Sequence, residues 1–291
     1  MAGASQWLQG ARPRTLAAAV APVAAGTGAA GAEDSLHVGR ALLALLVSLA
    51  LQVGVNYAND YSDGIRGTDA ERQGPVRLVG ARLAAPAAVR AAALGCFAVA
   101  AVAGLVLAAL TTWWLLVVGA GAIAAAWFYT GGTRPYGYRG LGEVSVFVFF
   151  GLVATIGTTY VQAGRITGTS VLAGAGCGAL ACAILVANNL RDLGGDTRAG
   201  KVTLAVRLGD RRTRWLFVAL MVTPYVVLVP VMVWHPAVVP VLVTAGAAAL
   251  IARKVIRGAT GSHLVTVLKE TGQLLLVYGV MILVTLTWLG N

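Results

Sequence analysis

Charged side chains are scarce in this sequence of 291 residues. Asp, Glu, Lys and Arg make up 11% of the chain, whereas hydrophobic residues make up 58%. A typical soluble domain carries about 25% charged residues. Water cannot solvate a chain with so much Ala, Val and Leu, so the composition excludes an ordinary soluble domain and is typical of an integral membrane protein.

Cysteine and histidine are also rare, with three of each. Cys96, Cys177 and Cys182 all fall inside apolar runs, without the spacing of metal ligands, and their odd number predicts no disulfide framework. The three histidines are scattered in predicted loops. The sequence therefore offers neither a thiolate nor a histidine-based metal site.

Acidic residues are half as frequent as basic ones, and the net charge is +11. Such an excess can indicate nucleic-acid binding, but here the basic residues lie mainly in the connectors between apolar runs. Lys and Arg in that position determine membrane topology. We therefore expect membrane lipid around the protein and no nucleic-acid partner.

Apolar runs are abundant, and nine of them approach the length of about 20 residues that spans a bilayer as a helix. We predict an all-α integral membrane protein, a single domain over residues 1–291, with about nine transmembrane helices around a central cavity. The first run, after Arg12 and Arg14, could instead be a signal peptide, although Pro22 and the lack of a leucine-rich centre argue against it. The nine runs are 16–32, 41–61, 87–110, 112–130, 144–163, 170–190, 214–233, 237–252 and 271–289.

The distribution of positive charge predicts the orientation. Every lysine and arginine except Arg40 and Arg165 lies in the N-terminal segment, in a long connector or at the adjoining helix ends. The positive-inside rule then places the N-terminus and the long connectors in the cytoplasm of a bacterial cell, with the protein in the inner membrane. Asn291 would lie outside.

Two apolar runs end in the same polar pattern, Asn-x-x-x-Asp followed by another Asp three or four residues later. On a continuing helix, residues spaced by four share one stripe. The two patterns are separated by four spans and so have the same orientation. Two related four-helix halves plus a ninth helix would bring them face to face across the cavity. The first cluster is Asn56, Asp60 and Asp63, and the second is Asn188, Asp192 and Asp196.

Neighbouring carboxylates repel one another, so these clusters predict a bound cation. Oxygen-only ligands suit Mg²⁺, which phosphate oxygens commonly complete. Basic residues lie beside both clusters, and Gly194, Gly195 and Gly200 allow close approach of the backbone. We therefore predict a Mg²⁺–diphosphate site at the cytoplasmic mouth of an intramembrane cavity that holds a lipid tail. The alternative is a set of solvated carboxylates paired with nearby arginines.

Several stretches resemble the UbiA superfamily of intramembrane aromatic prenyltransferases, which have nine helices and two Asp-rich motifs. The first motif of that family is commonly Asn-x-x-x-Asp-x-x-x-Asp, but here its third position is Gly64. Asp63 could fill that role through a local helix distortion, or Asp69 could. The stretches that resemble the menaquinone branch of the superfamily are Ala11–Leu16, Asn56–Asp69 and Arg139–Glu143.

The resemblance implies Mg²⁺-dependent transfer from a polyprenyl diphosphate to 1,4-dihydroxy-2-naphthoate, with loss of carbon dioxide. The catalytic residues would be the four aspartates of the clusters and Lys201. The implied metal ligands are Asn56, Asp60, Asp63, Asp192 and Asp196, and the implied diphosphate-binding residues are Arg66, Asn188, Arg191, Arg198 and Lys201.

The acceptor site is predicted in the loop between the fourth and fifth runs. We expect Arg134 or Arg139 to bind the acceptor carboxylate, Tyr138 to contribute to the site, and Glu143 to orient a basic partner. A loop that only sets topology would explain the same residues. Asp69 is either an outer contact of the metal or a helix cap.

Two other functions remain open at this point. A superfamily member could use another aromatic acceptor, such as 4-hydroxybenzoate, homogentisate or haem. A secondary transporter of an anionic lipid or metabolite would also explain the arginines, but it would place charges near the midplane rather than at one face.

Overall fold

The computed structural model describes residues 2–67 and 77–289, and this part of the chain is helical without strands. Asp69 lies outside the described residues. A 3₁₀ turn also covers Pro13–Thr15, Tyr136–Arg139 and Pro236–Val243, and a π-helical segment, Phe147–Val153, joins α6 to α7. The helices are α1 (Ala4–Gly10), α2 (Ala17–Gly31), α3 (Val38–Arg66), α4 (Pro86–Leu110), α5 (Leu115–Phe128), α6 (Gly142–Val146), α7 (Ala154–Ala163), α8 (Gly168–Arg198), α9 (Leu204–Trp234), α10 (Thr244–Ile256) and α11 (Gly261–Trp288).

Within the described residues, seven helical segments are long and apolar enough to cross a membrane. They are α3, α4, the continuous stretch Gly142–Ala163, α8, α9, the stretch Pro236–Ile256 and α11. The shorter apolar helices α2 and α5 coincide with the first and fourth predicted runs. The chain is thus a multi-pass membrane protein, as predicted, while the count of nine spans stays a prediction.

Two helices depart from regular geometry where their sequences require it. The eighth predicted span begins as a 3₁₀ turn that contains Pro236 and Pro240, because proline cannot donate the backbone hydrogen bond of an α-helix. In α9, Gly209 has φ 74° and ψ 170°, which breaks the helix after its first turns. The side chain of Thr203 caps that short first part by accepting a hydrogen bond from the N–H of Val206.

The apolar helices α2 and α11 pack against each other through glycines. A Cβ atom at Gly279 of α11 would lie 2.4 Å from the carbonyl oxygen of Ala21 on α2, and one at Gly28 would lie 2.7 Å from that of Ile282. Only glycine permits backbones to approach this closely. Helix α2 also packs against α7 and α8, so most of its residues are buried at the centre of the bundle.

One end of the bundle, here called the basic end, contains the C-terminal ends of α3 and α8 and the segments 129–141 and 199–203. Hydrogen bonds join these parts, including one of 3.0 Å from the N–H of Val202 to the carbonyl of Tyr138. The guanidinium of Arg66 donates to the carbonyls of Thr130 and Gly132. Helix α1 lies at this end too, where Tyr57 donates to the carbonyl of Trp7.

The opposite end, here called the far end, contains the two exceptions to the charge pattern. Arg165 pairs with Glu33, and Arg40 donates to backbone carbonyls of α4 and α7. The last turn of α11 also lies here, with Thr287 against Gly31. The predicted separation of the basic residues between two ends is therefore present in the fold. Which end faces the cytoplasm stays a prediction.

Candidate active site

A cavity of about 970 Å³ occupies the middle of the bundle. On α3 its lining extends from Asp63 near the basic end to Ala44 near the far end. These residues are 19 positions apart, which is about 28 Å at 1.5 Å per residue. The cavity therefore runs along almost the whole hydrocarbon thickness of a bilayer, about 30 Å.

Helix α3 presents a polar stripe to this cavity. Residues three or four positions apart share one face of a helix. Thr15 accepts hydrogen bonds from the side-chain amides of Gln52 and Asn56, at 2.9 and 3.1 Å, which fixes the segment before α2 against this stripe. The stripe comprises Ser48, Gln52, Asn56, Asn59 and Asp63.

Asp63 is the centre of a group of cations at the basic end. Its carboxylate is 3% exposed as a residue and lies 3.5 Å from the guanidinium of Arg77 and 3.6 Å from the ammonium of Lys201. Tyr138 donates a hydrogen bond to the same carboxylate. The Tyr138 ring centroid is 4.6 Å from the nitrogen of Lys201 and 5.6 Å from the guanidinium carbon of Arg66, distances typical of cation–π contacts.

Asp60 has a different role, because it does not line the cavity. Its buried carboxylate accepts hydrogen bonds from the backbone N–H groups of Leu78, at 2.7 Å, and Val79, at 3.0 Å. Hydrogen bonds to an ionised acceptor are among the stronger ones in proteins. Asp60 thus anchors the segment that brings Arg77 next to Asp63.

Gly64 occupies the position where the first family motif commonly has its last Asp, and steric packing explains the glycine. A Cβ atom at this position would lie 2.4 Å from Cγ1 of Val79, so no larger side chain fits without displacing the anchored segment. Asp63, one residue earlier, faces the cavity instead. Helix α3 remains α-helical as far as Arg66, so the local distortion that was one of the two expectations is not required.

In the second cluster, Asn188, Arg191 and Asp196 line the cavity and Asp192 does not. The guanidinium of Arg191 donates two hydrogen bonds to the carboxylate of Asp192, at 2.7 and 2.8 Å, and a third to the side-chain oxygen of Asn188, at 2.8 Å. Gly200, with φ 70°, turns the chain after α8 so that the N–H of Lys201 donates to the carbonyl of Asp196. The buried Lys201 side chain thereby links the two clusters.

The loop after α5 contributes tyrosines to the cavity wall. The rings of Tyr129 and Tyr136 meet edge to face at 5.5 Å, and the Tyr136 hydroxyl lies 2.8 Å from that of Ser145. Burial raises the pKa of both phenols, and the negative charge of Glu143 raises that of Tyr129 further. Both hydroxyls are therefore neutral hydrogen-bonding groups at neutral pH. The cavity is lined here by Tyr129, Tyr136, Gly137, Tyr138 and Ser145.

Several of the predicted site residues do not line the cavity. Arg134, Arg139 and Arg198 are exposed. The backbone carbonyl of Arg139 accepts a hydrogen bond from the guanidinium of Arg207. Arg66 is exposed as well and contacts the loop carbonyls described above. The buried carboxylate of Glu143 accepts a 2.9 Å hydrogen bond from the amide of Asn189, and its orientation of a basic partner stays a prediction.

The cavity also contains polar residues that were not among the predicted site residues. Asn189 directly follows the motif residue Asn188 and gives no separate signal in the sequence. Asn59 could have been found, because a helical projection of α3 places it on the same stripe as Asn56. Arg77 and Arg12 give no signal in the sequence beyond their charge, because only the fold brings them to the motif. All four residues line the cavity.

Oxygen ligands for a metal ion are available, but not as a closed protein cage. Over the described ranges, no three or more His, Cys, Asp or Glu side chains form a metal-binding group. The cavity is nevertheless lined by Asp63 and Asp196, together with the carboxamides of Asn56 and Asn188. A sparse set of hard oxygen donors fits Mg²⁺, which usually keeps water and takes substrate phosphates as ligands.

Comparison with known proteins gives consistent matches. The profile of the UbiA prenyltransferase family matches residues 19–269. A 1,4-dihydroxy-2-naphthoate octaprenyltransferase of Mycobacterium tuberculosis is 54% identical over 282 residues, covering 97% of each chain. The protein of the same name from Mycobacterium leprae is 52% identical over 291 residues, covering 100% of this chain and 99% of that one.

Solved structures show the same fold. A UbiA homolog from Archaeoglobus fulgidus bound to DMAPP and Mg²⁺ has a TM-score of 0.70 at 14% identity, covering 96% of this chain and 99% of that one. The apo structure of a UbiA homolog from Aeropyrum pernix K1 has a TM-score of 0.69 at 17% identity, covering 91% and 94%.

Proposed function

The chain belongs to the UbiA prenyltransferase family, and from this premise we propose that it transfers a polyprenyl group from polyprenyl diphosphate to 1,4-dihydroxy-2-naphthoate. The products would be demethylmenaquinol, which is the hydroquinone form of demethylmenaquinone, together with carbon dioxide and diphosphate. The observation that carries the proposal is one continuous cavity with acidic and basic side chains at the basic end and apolar walls beyond them. The names of the mycobacterial relatives support this choice of donor and acceptor.

The donor diphosphate would bind at the basic end of the cavity. Asp63, Asp196, Asn56 and Asn188 would hold Mg²⁺, and Asp192 could join them. When bound, Mg²⁺ supplies positive charge that stabilises the departing diphosphate. Arg77, Arg191 and Lys201 offer charge-assisted hydrogen bonds to the phosphate oxygens.

The pair of Arg191 and Asp192 can exchange partners when the donor binds. Arg191 lines the cavity, and its three side-chain hydrogen bonds to Asp192 and Asn188 all involve groups that can rotate. Turning the guanidinium toward the diphosphate would remove two charge-assisted hydrogen bonds from Asp192, whose carboxylate could then contact a cation. The second cluster would thereby change from a self-neutralised state to a ligand-binding one without moving the backbone.

The chemical step breaks the allylic C–O bond, and its electron pair leaves with the diphosphate. The resulting allylic cation is attacked by the ring carbon that bears the acceptor carboxylate, and the new C–C bond forms there. Loss of carbon dioxide returns the electron pair of the old C–C bond to the ring. Such a cation must be shielded from water, and the walls beside the basic end include Leu51, Phe149, Phe150, Val153 and Ile184.

The acceptor would bind beside the tyrosines, between the diphosphate and the apolar walls. Tyr129, Tyr136, Tyr138 and Ser145 place hydroxyl groups and aromatic rings on the cavity surface there. An aromatic ring with two hydroxyls matches those groups in shape and in hydrogen bonding. Arg134 and Arg139 are exposed and do not line this surface, so the proposal assigns them no contact with the acceptor. The mouth would face the cytoplasm, where a polar acceptor is available.

Reconstitution tests the proposal directly. Purified protein in lipid nanodiscs would receive Mg²⁺, octaprenyl diphosphate and 1,4-dihydroxy-2-naphthoate, and the prenylated naphthohydroquinone and the released diphosphate would both be measured. We expect a chelator to abolish both products. Asp196→Asn should do nearly the same, whereas Asp210→Asn, an exposed carboxylate that pairs with Arg214, should retain activity.

The outcomes separate the competing functions. Turnover with 4-hydroxybenzoate or homogentisate but not with the naphthoate would overturn the acceptor and keep prenyl transfer. If folded protein released no diphosphate with any acceptor, prenyl transfer itself would be wrong.

A further inference from the structure

The turn between α1 and α2, residues 11–15, has a strained backbone. Arg12 has φ 54° and ψ 69°, in the left-handed region that residues other than glycine rarely adopt. Such a conformation persists only where the surrounding structure enforces it, and it is most frequent at functional sites. The turn also lines the cavity with Arg12, Pro13, Arg14 and Thr15, although the proposed reaction gives it no role.

Hydrogen bonds determine what the hydroxyl of Thr15 can do. It donates its single proton to the carbonyl of Arg12, at 2.9 Å. The same oxygen can then only accept, and it accepts from the side-chain amides of Gln52, at 2.9 Å, and Asn56, at 3.1 Å. This one hydroxyl therefore closes the strained turn and ties it to the polar stripe of α3.

The same contacts fix the orientation of the Asn56 side chain. Its nitrogen also donates to the backbone carbonyl of Ala11, at 2.9 Å, and a carbonyl can only accept. The NH₂ group is therefore directed at the turn, and the amide oxygen is directed away from it. Asn56 lines the cavity, and its oxygen accepts no hydrogen bond from any residue that the structure describes. In the second cluster the oxygen of Asn188 is already bound to Arg191.

We propose that Thr15 is a positioning residue for the metal site, because it holds the Asn56 amide with its oxygen, rather than its nitrogen, available to Mg²⁺. This inference depends on the proposed function, since it concerns a ligand of the same site. An NH₂ group cannot bind a cation, so a reversed amide would remove one ligand. Loss of a group that orients a metal ligand typically lowers metal affinity by about 10- to 100-fold.

The arrangement also gives a reason for an asparagine at position 56. An aspartate would bring a negative charge to the cation, but a carboxylate has no N–H to donate. It would place its oxygens against the carbonyl of Ala11 in a buried position, which leaves acceptors without donors and is unfavourable. We therefore expect Asn56→Asp to bind the metal less tightly, although it adds a negative charge.

Metal binding can be measured without turnover. Protein in lipid nanodiscs would receive geranyl S-thiolodiphosphate, a donor analogue that resists ionisation, and Mn²⁺ in place of Mg²⁺, with bound Mn²⁺ detected by electron paramagnetic resonance. We expect the Mn²⁺ dissociation constant to rise about tenfold in Thr15→Val and to stay within about twofold in Thr15→Ser, which keeps the hydroxyl. Thr271→Val is the matched control, because this buried hydroxyl donates to Val267 within its own helix and does not line the cavity.

A double-mutant cycle separates positioning of the ligand from a general structural effect. In the Asn56→Ala background, Thr15→Val should change the Mn²⁺ dissociation constant by less than about twofold, because the ligand that Thr15 orients is already absent. A structural role would give the same factor in both backgrounds.

The outcomes distinguish this inference from the proposed function. If the unmodified protein bound no Mn²⁺ in the presence of the analogue, the metal site of the proposed function would be wrong. If it bound Mn²⁺ and Thr15→Val left the dissociation constant unchanged, Thr15 would serve only to fasten the turn. Should Thr15→Val fail to fold, Asn56→Asp still decides: weaker Mn²⁺ binding supports the positioning role, and tighter binding overturns it.

Discussion

The two Asp clusters have nearly the same sequence pattern, but the protein uses their carboxylates in different ways. In each cluster the second aspartate, Asp63 or Asp196, lines the cavity, and the first, Asp60 or Asp192, does not. Asp60 is bound to two backbone N–H groups, whereas Asp192 is bound to the side chain of Arg191.

This difference separates a fixed carboxylate from an exchangeable one. Asp60 cannot leave its partners without releasing segment 77–79 and with it Arg77, which contacts Asp63. Asp192 is held by the side chain of Arg191, which can rotate. The first cluster is therefore a rigid half of the site that carries its own cation, and the second is the half that can adapt when a donor binds.

The largest effect is expected at the two carboxylates that line the cavity. Asp63→Asn and Asp196→Asn should each lower kcat by about 10³-fold, because each removes a negative ligand from a poorly solvated site. The Mg²⁺ concentration that gives half-maximal rate should rise in both. Steady-state kinetics over a Mg²⁺ titration measures this, and a variant that kept a tenth of the activity would show that its carboxylate is dispensable.

The next effect concerns Lys201, which connects the clusters. Lys201→Ala should lower kcat by about 10²-fold, the usual loss on removing one preorganised donor to a developing negative charge, and Lys201→Arg should recover part of it. Arg207→Ala is the control, since this arginine is exposed at the same end, does not line the cavity and donates from its guanidinium to the carbonyl of Arg139. Equal losses in both would indicate a general effect of positive charge.

A smaller effect separates the two aspartates that do not line the cavity. Asp60→Asn should lower the free energy of unfolding by about 2 kcal/mol, because an amide can accept from only one of the two buried N–H groups. The Mg²⁺ half-saturation should remain unchanged in the active fraction. Asp192→Asn should do the reverse, with little loss of stability and a higher Mg²⁺ requirement. Denaturant unfolding in detergent and the Mg²⁺ titration together measure both; identical behaviour would abolish the distinction.

The smallest effect is expected at the glycines that lie beside the two clusters, Gly64 and Gly195. Gly64→Ala should destabilise the protein by about 1 kcal/mol or more, because its Cβ would overlap Val79. Gly195→Ala on α8 meets no atom within 4 Å and should be neutral or stabilising by up to about 1 kcal/mol through helix propensity. Unfolding midpoints of the two variants, measured side by side, check this difference. A destabilised Gly195→Ala would show that the second cluster is as tightly packed as the first.

Much of the fold follows from the sequence, since apolar runs of bilayer length and a one-sided distribution of arginines leave few arrangements. The runs agree with the helices even where proline forces a 3₁₀ start. The motif asparagines and two of the four aspartates line the cavity, while their roles in binding stay predictions.

The rest depended on contacts between distant segments. Nothing in the spacing shows that Asp60 accepts hydrogen bonds from Leu78 and Val79, because those residues belong to no recognisable pattern. Arg77 could be counted as a topology signal but not as a partner of Asp63. The exposed Arg134 and Arg139 show the opposite error, in which a charge near a motif was expected to reach the site.

The interlocked glycines of α2 and α11 also have a consequence for how the protein is made. A ribosome releases α2 into the membrane long before α11 has been synthesised, yet α2 packs more extensively against α11 than against α7 or α8. During elongation, α2 is therefore in the membrane before its partner α11 exists, and lipid or the insertion machinery must cover its glycine face. Assembly can finish only after α11 has entered the membrane, so a chain that ended before α11 would leave that face of α2 uncovered.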